Sequence, residues 1–187
     1  MHTGEMWQAY SLNGIALSDG GYDSALGNPE EDAAVLVGAA NVWVFRKTEN
    51  GVEVLFQHRS EFVDSNAGKW DISAAGHMNY GETIVEAAVR EAREEIGIEI
   101  SEKDLDFICA CRGLTRNMLN HHFLCDWTGR EDNFHFDDKE VSEVKWVPLA
   151  DFDAFIDENV KDSVKTATFS RDAIKMQLEK ISGNSES

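Results

Sequence analysis

Residues 76–98 read GHMNYGETIVEAAVREAREEIGI. Gly76 and Gly81 open a loop, and a helix is predicted to follow it. Thr83 stands three residues before Glu86, the spacing at which an N-cap hydroxyl and a carboxylate satisfy each other's backbone N–H groups. Ile84, Ala87, Ala88 and Ala92 recur at helical intervals and are expected to face a core. Gly97 is a natural C-terminal stop, because the left-handed conformation that ends helices suits a residue without a side chain.

The acids sit in an unusual place. Glu91, Glu94 and Glu95 occupy positions i, i+3 and i+4, so they share one helix face. Like charges at that spacing cost about 0.2–0.5 kcal/mol per pair. They also crowd the C-terminal end of the helix, where the macrodipole disfavours each anion by about 0.3–1 kcal/mol. Arg90 and Arg93 offset part of this. A cluster that is locally unfavourable and still present points to a missing positive charge, and all-oxygen ligation points to Mg²⁺ or Mn²⁺.

The stretch resembles the Nudix box: Gly, five residues, Glu, seven residues, then Arg-Glu-aliphatic-x-Glu-Glu-x-Gly-aliphatic. Gly76, Glu82, Arg90, Glu91, Ala92, Glu94, Glu95, Gly97 and Ile98 fill its positions, with Ala92 the least typical. At average residue frequencies a chance match is on the order of 10⁻⁷. The resemblance implies an α+β protein of the Nudix fold, a mixed β-sheet sandwiched between helices (α/β/α) with the box as a loop-helix-loop. It also implies hydrolysis of a phosphoanhydride, such as a nucleoside diphosphate linked to another group. Glu91, Glu94 and Glu95 would hold the metal, and the backbone carbonyl of Ala75, just before the first glycine, would join them. Glu82 would return to the cluster through the loop, as an added ligand or a support. Arg90 would orient a glutamate, since its planar fork suits a carboxylate.

The rest of the composition narrows the setting. A chain of 187 residues suggests one domain, at most with an extension, and 42% hydrophobic residues suffice for a sizeable core. No apolar run is long enough to span a bilayer, and MHTGEMWQAY lacks the basic and apolar regions of a secretory signal. Three cysteines argue against a disulfide framework, so a reducing, cytoplasmic setting is expected. The net charge of −18 repels nucleic acid and anionic membrane at long range, and the resemblance implies a small phosphoanhydride as the partner. That substrate is repelled too, so binding it requires local cations.

Around the box, residues 1–32 form an N-terminal arm punctuated by Gly4, Gly14, Gly20, Gly21 and Gly27 and closed by Glu30, Glu31 and Asp32. Trp7, Tyr10 and Ile15 would anchor it on the body of the domain, or it would form a homodimer; the sequence does not separate the two. The domain proper spans 33–160. It opens with a buried strand from Ala33 to Arg46, a turn at 47–51, and an alternating strand Val52–Arg59 from which Gln57, His58 and Arg59 emerge. Strands are also expected at Asp106–Arg112, Met118–Trp127 and Glu143–Pro148, and a helix at Leu149–Val160. Residues 161–187 supply a helix at Ser170–Ile181 packed on the same domain, then a disordered tail. Cys109 and Cys111 make a poor zinc site without a second pair. His121 and His122 point to opposite strand faces and cannot easily share an ion.

The expected catalytic set is Glu94, Glu95, Arg90 and one further acid. Glu131, just past a strand end, is taken first for that acid, with Glu140 and Glu143 after it. Arg59, Lys69, Arg112 and Arg116 are candidates to meet phosphates, and Trp70 or Phe123 to stack on a base. QHRS, WDISAAGH and GE are similar to the branch that contains isopentenyl-diphosphate isomerase and its hydrolase relatives. That isomerase carries a degenerate box and a catalytic cysteine before it. Here the box is complete and no cysteine precedes Cys109, which favours a hydrolase. An isomerase, or a nucleotide sensor without catalysis, are the alternatives.

Overall fold

A computed structural model describes residues 6–23, 35–63, 65–113, 117–136 and 139–183. Gly4, Gly27, Glu30, Glu31, Asp32, Ala33, Arg116 and the tail beyond Gly183 lie outside the described residues. So do Asp137 and Asp138.

The organising strand is β3 (Leu36–Thr48), thirteen residues dense in β-branched and aromatic side chains. It is too long for one partner on one of its edges. There it pairs in turn with β1 (Met6–Tyr10) at Leu36 and Val37, with β6 (Ala74–His77) from Ala39 to Val42, and with β4 (Gly51–Arg59) from Phe45 to Thr48. Its other edge runs parallel to β8 (Met118–Asp126) from Val37 to Phe45. Outside this spine, β2 (Ala16–Asp23) pairs with β1, β5 (Trp70–Ile72) and β9 (Val141–Pro148) with β4, and β7 (Leu105–Arg112) with β8. Every pairing but β3–β8 is antiparallel, so the sheet is mixed.

Helices cover both faces. On one side α1 (Ile84–Ile96) packs Ala87, Ala88, Ala92 and Ile96 against Val42, Val44, Leu55 and Phe123. On the other, α2 (Phe152–Asn159) and α4 (Thr168–Gly183) bury Phe152, Ile156, Ile174 and Leu178 against Trp43, Phe45, Phe56 and Leu124. The chain is therefore an α/β/α sandwich, as the resemblance implies. Among the described residues no helix is long and apolar enough to cross a membrane, and all three cysteines are free thiols.

Several local expectations need correction. Gly76 lies in a strand, β6, because Ala40 of β3 offers it a partner. Gln57 does not emerge from the hairpin end; it is fully buried. Ile15 anchors nothing and is 67% exposed, whereas Trp7 stacks on His77 and the Tyr10 hydroxyl donates to Met78 Sδ. A short helix α3 (Asp162–Thr166) precedes α4, and α4 continues through Gly183.

Candidate active site

Local sequence dictates the geometry of α1. Thr83 Oγ1 accepts from the Glu86 N–H at 3.2 Å, and Glu86 Oε2 accepts from the Thr83 N–H at 2.7 Å. At the other end Gly97 takes φ 69° and its N–H reaches the carbonyls of Ala92 and Arg93. Three alanines on the inner face bring the helix axis close to β3 and β6. That approach carries Glu91 and Glu95 down into the protein, while Glu94 stays half exposed.

Gly76 makes room for the first of these acids. A Cβ at that position would lie 2.1 Å from the Glu91 carboxyl carbon, so no other residue fits without displacing it. Burial pushes the Glu91 carboxyl up to about 7, against the pull of Arg90, and the charges of Glu94 and Glu140 add to the rise. Burial also raises Glu95 well above the usual carboxylate range, helped by the charge of Glu91. Glu95 Oε2 accepts from Gln57 Nε2 at 2.8 Å and from the Ala75 N–H at 2.7 Å.

Arg90 ties the group together. Its Nε and Nη2 fork onto Glu82 at 2.9 and 3.0 Å, Nη1 donates to Glu91 Oε1 at 2.6 Å and Glu94 Oε2 at 3.1 Å, and Nη2 also donates to the His77 carbonyl. Glu82 thus engages Arg90 with both oxygens, and one of them also accepts from the Asn79 N–H. It supports the arginine, the second of its two expected roles, and is not among the residues that line the cavity.

These residues line a cavity of about 610 Å³ between α1 and the C-terminal helices. Glu91, Glu94, Glu95, Arg90, Ala75 and Gly76 form one wall. Asn41 and Trp43 of β3 with Asn120 and His122 of β8 form another. Trp43 Nε1 donates to His122 Nδ1 at 3.2 Å, and burial lowers that imidazole to about 4, so His122 stands as a neutral, satisfied wall residue. Arg59 and Arg112 also line the cavity. Their guanidinium groups donate to the Ser65 carbonyl and to Asn117 Oδ1, and among the described residues neither pairs with a carboxylate.

Other expected residues fall elsewhere. Glu131 lies beyond the end of β8, which exits beside Phe45; the acidic wall faces Ala39 and Asn41, about 13–20 Å back along the strand. Its carboxylate accepts from Asn133. Glu140 lines the cavity instead. Phe123 is 2% exposed and belongs to the core under α1. Trp70 packs against Phe155 and His58 beneath α2, and exposed Lys69 is no part of the cavity lining.

Two further residues support the site without standing out in the sequence as site residues. Lys161 lines the cavity and pairs with Asp71, which is 1% exposed. No local pattern announces that pair. Gln57 did carry a signal. It is a carboxamide directly after Val54, Leu55 and Phe56, and two residues on from Leu55 it shares that residue's inward face.

The donor set suits a hard divalent cation: oxygens of Glu91, Glu94 and Glu95 share one wall, and the two buried ones repel each other. They do not form a closed cage. Among the described residues no three His, Cys, Asp or Glu side chains already converge on one point, because Arg90 draws Glu91 and Glu94 toward itself.

The NUDIX domain family model matches residues 36–167. The chain is 33% identical over 128 residues to "Nudix hydrolase 3" of Arabidopsis thaliana, covering 63% of this chain but only 16% of that protein. It is 30% identical over 123 residues to an "Isopentenyl-diphosphate Delta-isomerase" of Photobacterium profundum, covering 62% of this chain and 66% of the isomerase. Among solved structures, that of DR0079 from Deinococcus radiodurans superposes with a TM-score of 0.65 at 20% identity, over 86% of this chain and 95% of that one.

Proposed function

The chain belongs to the NUDIX family, and on that premise we propose that it is a divalent-metal-dependent hydrolase of a small phosphoanhydride. One observation carries the reading: two buried carboxylates, Glu91 and Glu95, share a cavity wall with Glu94, and two guanidinium groups that pair with no carboxylate among the described residues line the same cavity. Glu91, Glu94 and Glu95 would hold Mg²⁺ or Mn²⁺. Bound there, the cation would spread charge off the phosphoryl oxygens and acidify a water. Arg59 and Arg112 would take the substrate's phosphates, offsetting the repulsion of a chain of net charge −18. Glu94, half exposed, or Glu140, also on the cavity lining, would accept a proton from the attacking water. Without metal, Arg90 holds Glu91 and Glu94 on the same wall.

Glu94→Gln and Glu95→Gln are expected to lower turnover by orders of magnitude with the fold intact, on a substrate found by screening nucleotide sugars, dinucleotides, nucleoside triphosphates and prenyl diphosphates. Near-parental rates in both variants would overturn the assignment. The likeness to an isomerase supports a second reading, proton transfer on an allylic diphosphate. Incubation with isopentenyl diphosphate separates the two: a shifted double bond favours the isomerase, released phosphate or pyrophosphate the hydrolase.

A further inference from the structure

Gln57 is a carboxamide without solvent contact, in a strand where its neighbours Leu55 and Phe56 are apolar and equally buried. Its Oε1 makes no hydrogen bond. Its Nε2 makes one, to Glu95 Oε2 at 2.8 Å. An amide whose acceptor is left unsatisfied in the core is a burden that leucine or methionine would not impose. What the amide adds is a donor aimed at one oxygen of one glutamate.

The Ala75 N–H reaches the same oxygen at 2.7 Å. Two donors therefore hold Oε2. Among the described residues Glu95 Oε1 makes no hydrogen bond, and Glu95 lines the cavity. Oε1 is the oxygen left for whatever enters. Asp71, the cross-strand partner of Gln57, adds to the repulsion that Glu91 exerts on Glu95, and Lys161 pairs with Asp71. The carboxyl group of Glu95 is thus clamped in orientation through Oε2.

We propose that Gln57 is a positioning residue, which fixes the carboxylate plane of Glu95 so that Oε1 faces a divalent cation in the cavity. This rests on the metal-dependent reading above. Gln57 touches neither substrate nor metal and acts through Glu95 alone.

The test is direct Mn²⁺ binding, by calorimetry or by the loss of free-Mn²⁺ paramagnetic signal, on Gln57→Leu, Gln57→Met and Glu95→Gln, with each Gln57 substitution repeated in the Glu95→Gln background. Gln57→Leu or Gln57→Met, whichever folds as the parent does in EDTA, is expected to weaken Mn²⁺ binding about tenfold or more, the usual effect of losing a ligand's supporting hydrogen bond. In the Glu95→Gln background the same substitution is expected to add no further loss, an outcome that a general packing defect would not give. Mn²⁺ affinity within twofold of the parent, or an equal loss in both backgrounds, would overturn the proposal. A parent chain that binds no Mn²⁺ would instead sink the metal-dependent reading itself, so the two failures are distinguishable.

Discussion

Glu91 is expected to make the metal-free protein less stable as pH rises through neutrality. The residue is 8% exposed, and burial lifts its carboxyl from an ordinary 4.5 to about 7. In the unfolded chain it titrates near the ordinary value, so the folded state favours the proton. The stabilisation is complete below about pH 4.5, declines as pH rises, and is lost above about 7. At about 1.36 kcal/mol per pH unit the loss amounts to about 3 kcal/mol. For a domain of this size that is a fall of about 6–12 °C in Tm. His122 pulls the other way over part of the range. Burial lowers its imidazole from 6.5 to about 4, so its contribution is complete above about 6.5 and is lost as pH falls toward 4. The parent curve alone mixes these two with Glu95, whose carboxyl burial also raises, and Glu91→Gln removes the Glu91 contribution, since glutamine keeps an acceptor for Arg90 and does not titrate. Urea unfolding in EDTA from pH 4.5 to 8 reads the difference between parent and variant. That difference is expected to fall by about 3 kcal/mol between pH 4.5 and 7, and excess Mg²⁺ or Mn²⁺ is expected to abolish the fall, because a nearby cation favours the carboxylate. A difference flat with pH in EDTA would refute the reasoning from buried charge.

Gly76→Ala places a methyl group where the Glu91 carboxyl now sits, so it is expected to cost about 1–3 kcal/mol in EDTA and to lose Mn²⁺ binding with it; retention of parental Mn²⁺ affinity would show that Glu91 is no ligand. Lys161→Met leaves Asp71 buried without its cation and is expected to cost about 3 kcal/mol, most of it recovered by adding Asp71→Leu; denaturant unfolding checks both, and a loss below about 1 kcal/mol for the single variant would show that the pair is not coupled to the core.

What the sequence disclosed follows the range of the forces involved. The α1 cap, its stop at Gly97 and its inner alanines are set by neighbours within a turn or two, and a linear reading reaches them. Glu131 failed for a reason no local pattern contains. Which loop acid meets the cavity depends on which end of the sheet its strand leaves by, and the parallel pairing of β8 with β3 sends Glu131 to the far end. Phe123 and Trp70 failed together, because helices cover both sheet faces and most aromatics on these strands are consumed as core. The pattern puts Gln57 at the exit of the hairpin, since its only explanation, Glu95, is 38 residues away.

The acid cluster looked unfavourable on sequence grounds, and Arg90 shows how the fold tolerates it. One guanidinium reaches Glu82, Glu91, Glu94 and the His77 carbonyl, so a positive charge already stands on the wall. Glu95 is the member Arg90 does not reach; it is held by neutral N–H donors and repelled by Glu91 and Asp71. The unmet demand for positive charge is therefore concentrated at Glu95 rather than shared along the helix face. On the metal-dependent reading, a divalent cation would find one committed oxygen donor there and would need only to draw Glu91 and Glu94 partly away from Arg90. The arginine would then keep α1 folded without metal, and its most deeply buried carboxylate would be the point of first attachment.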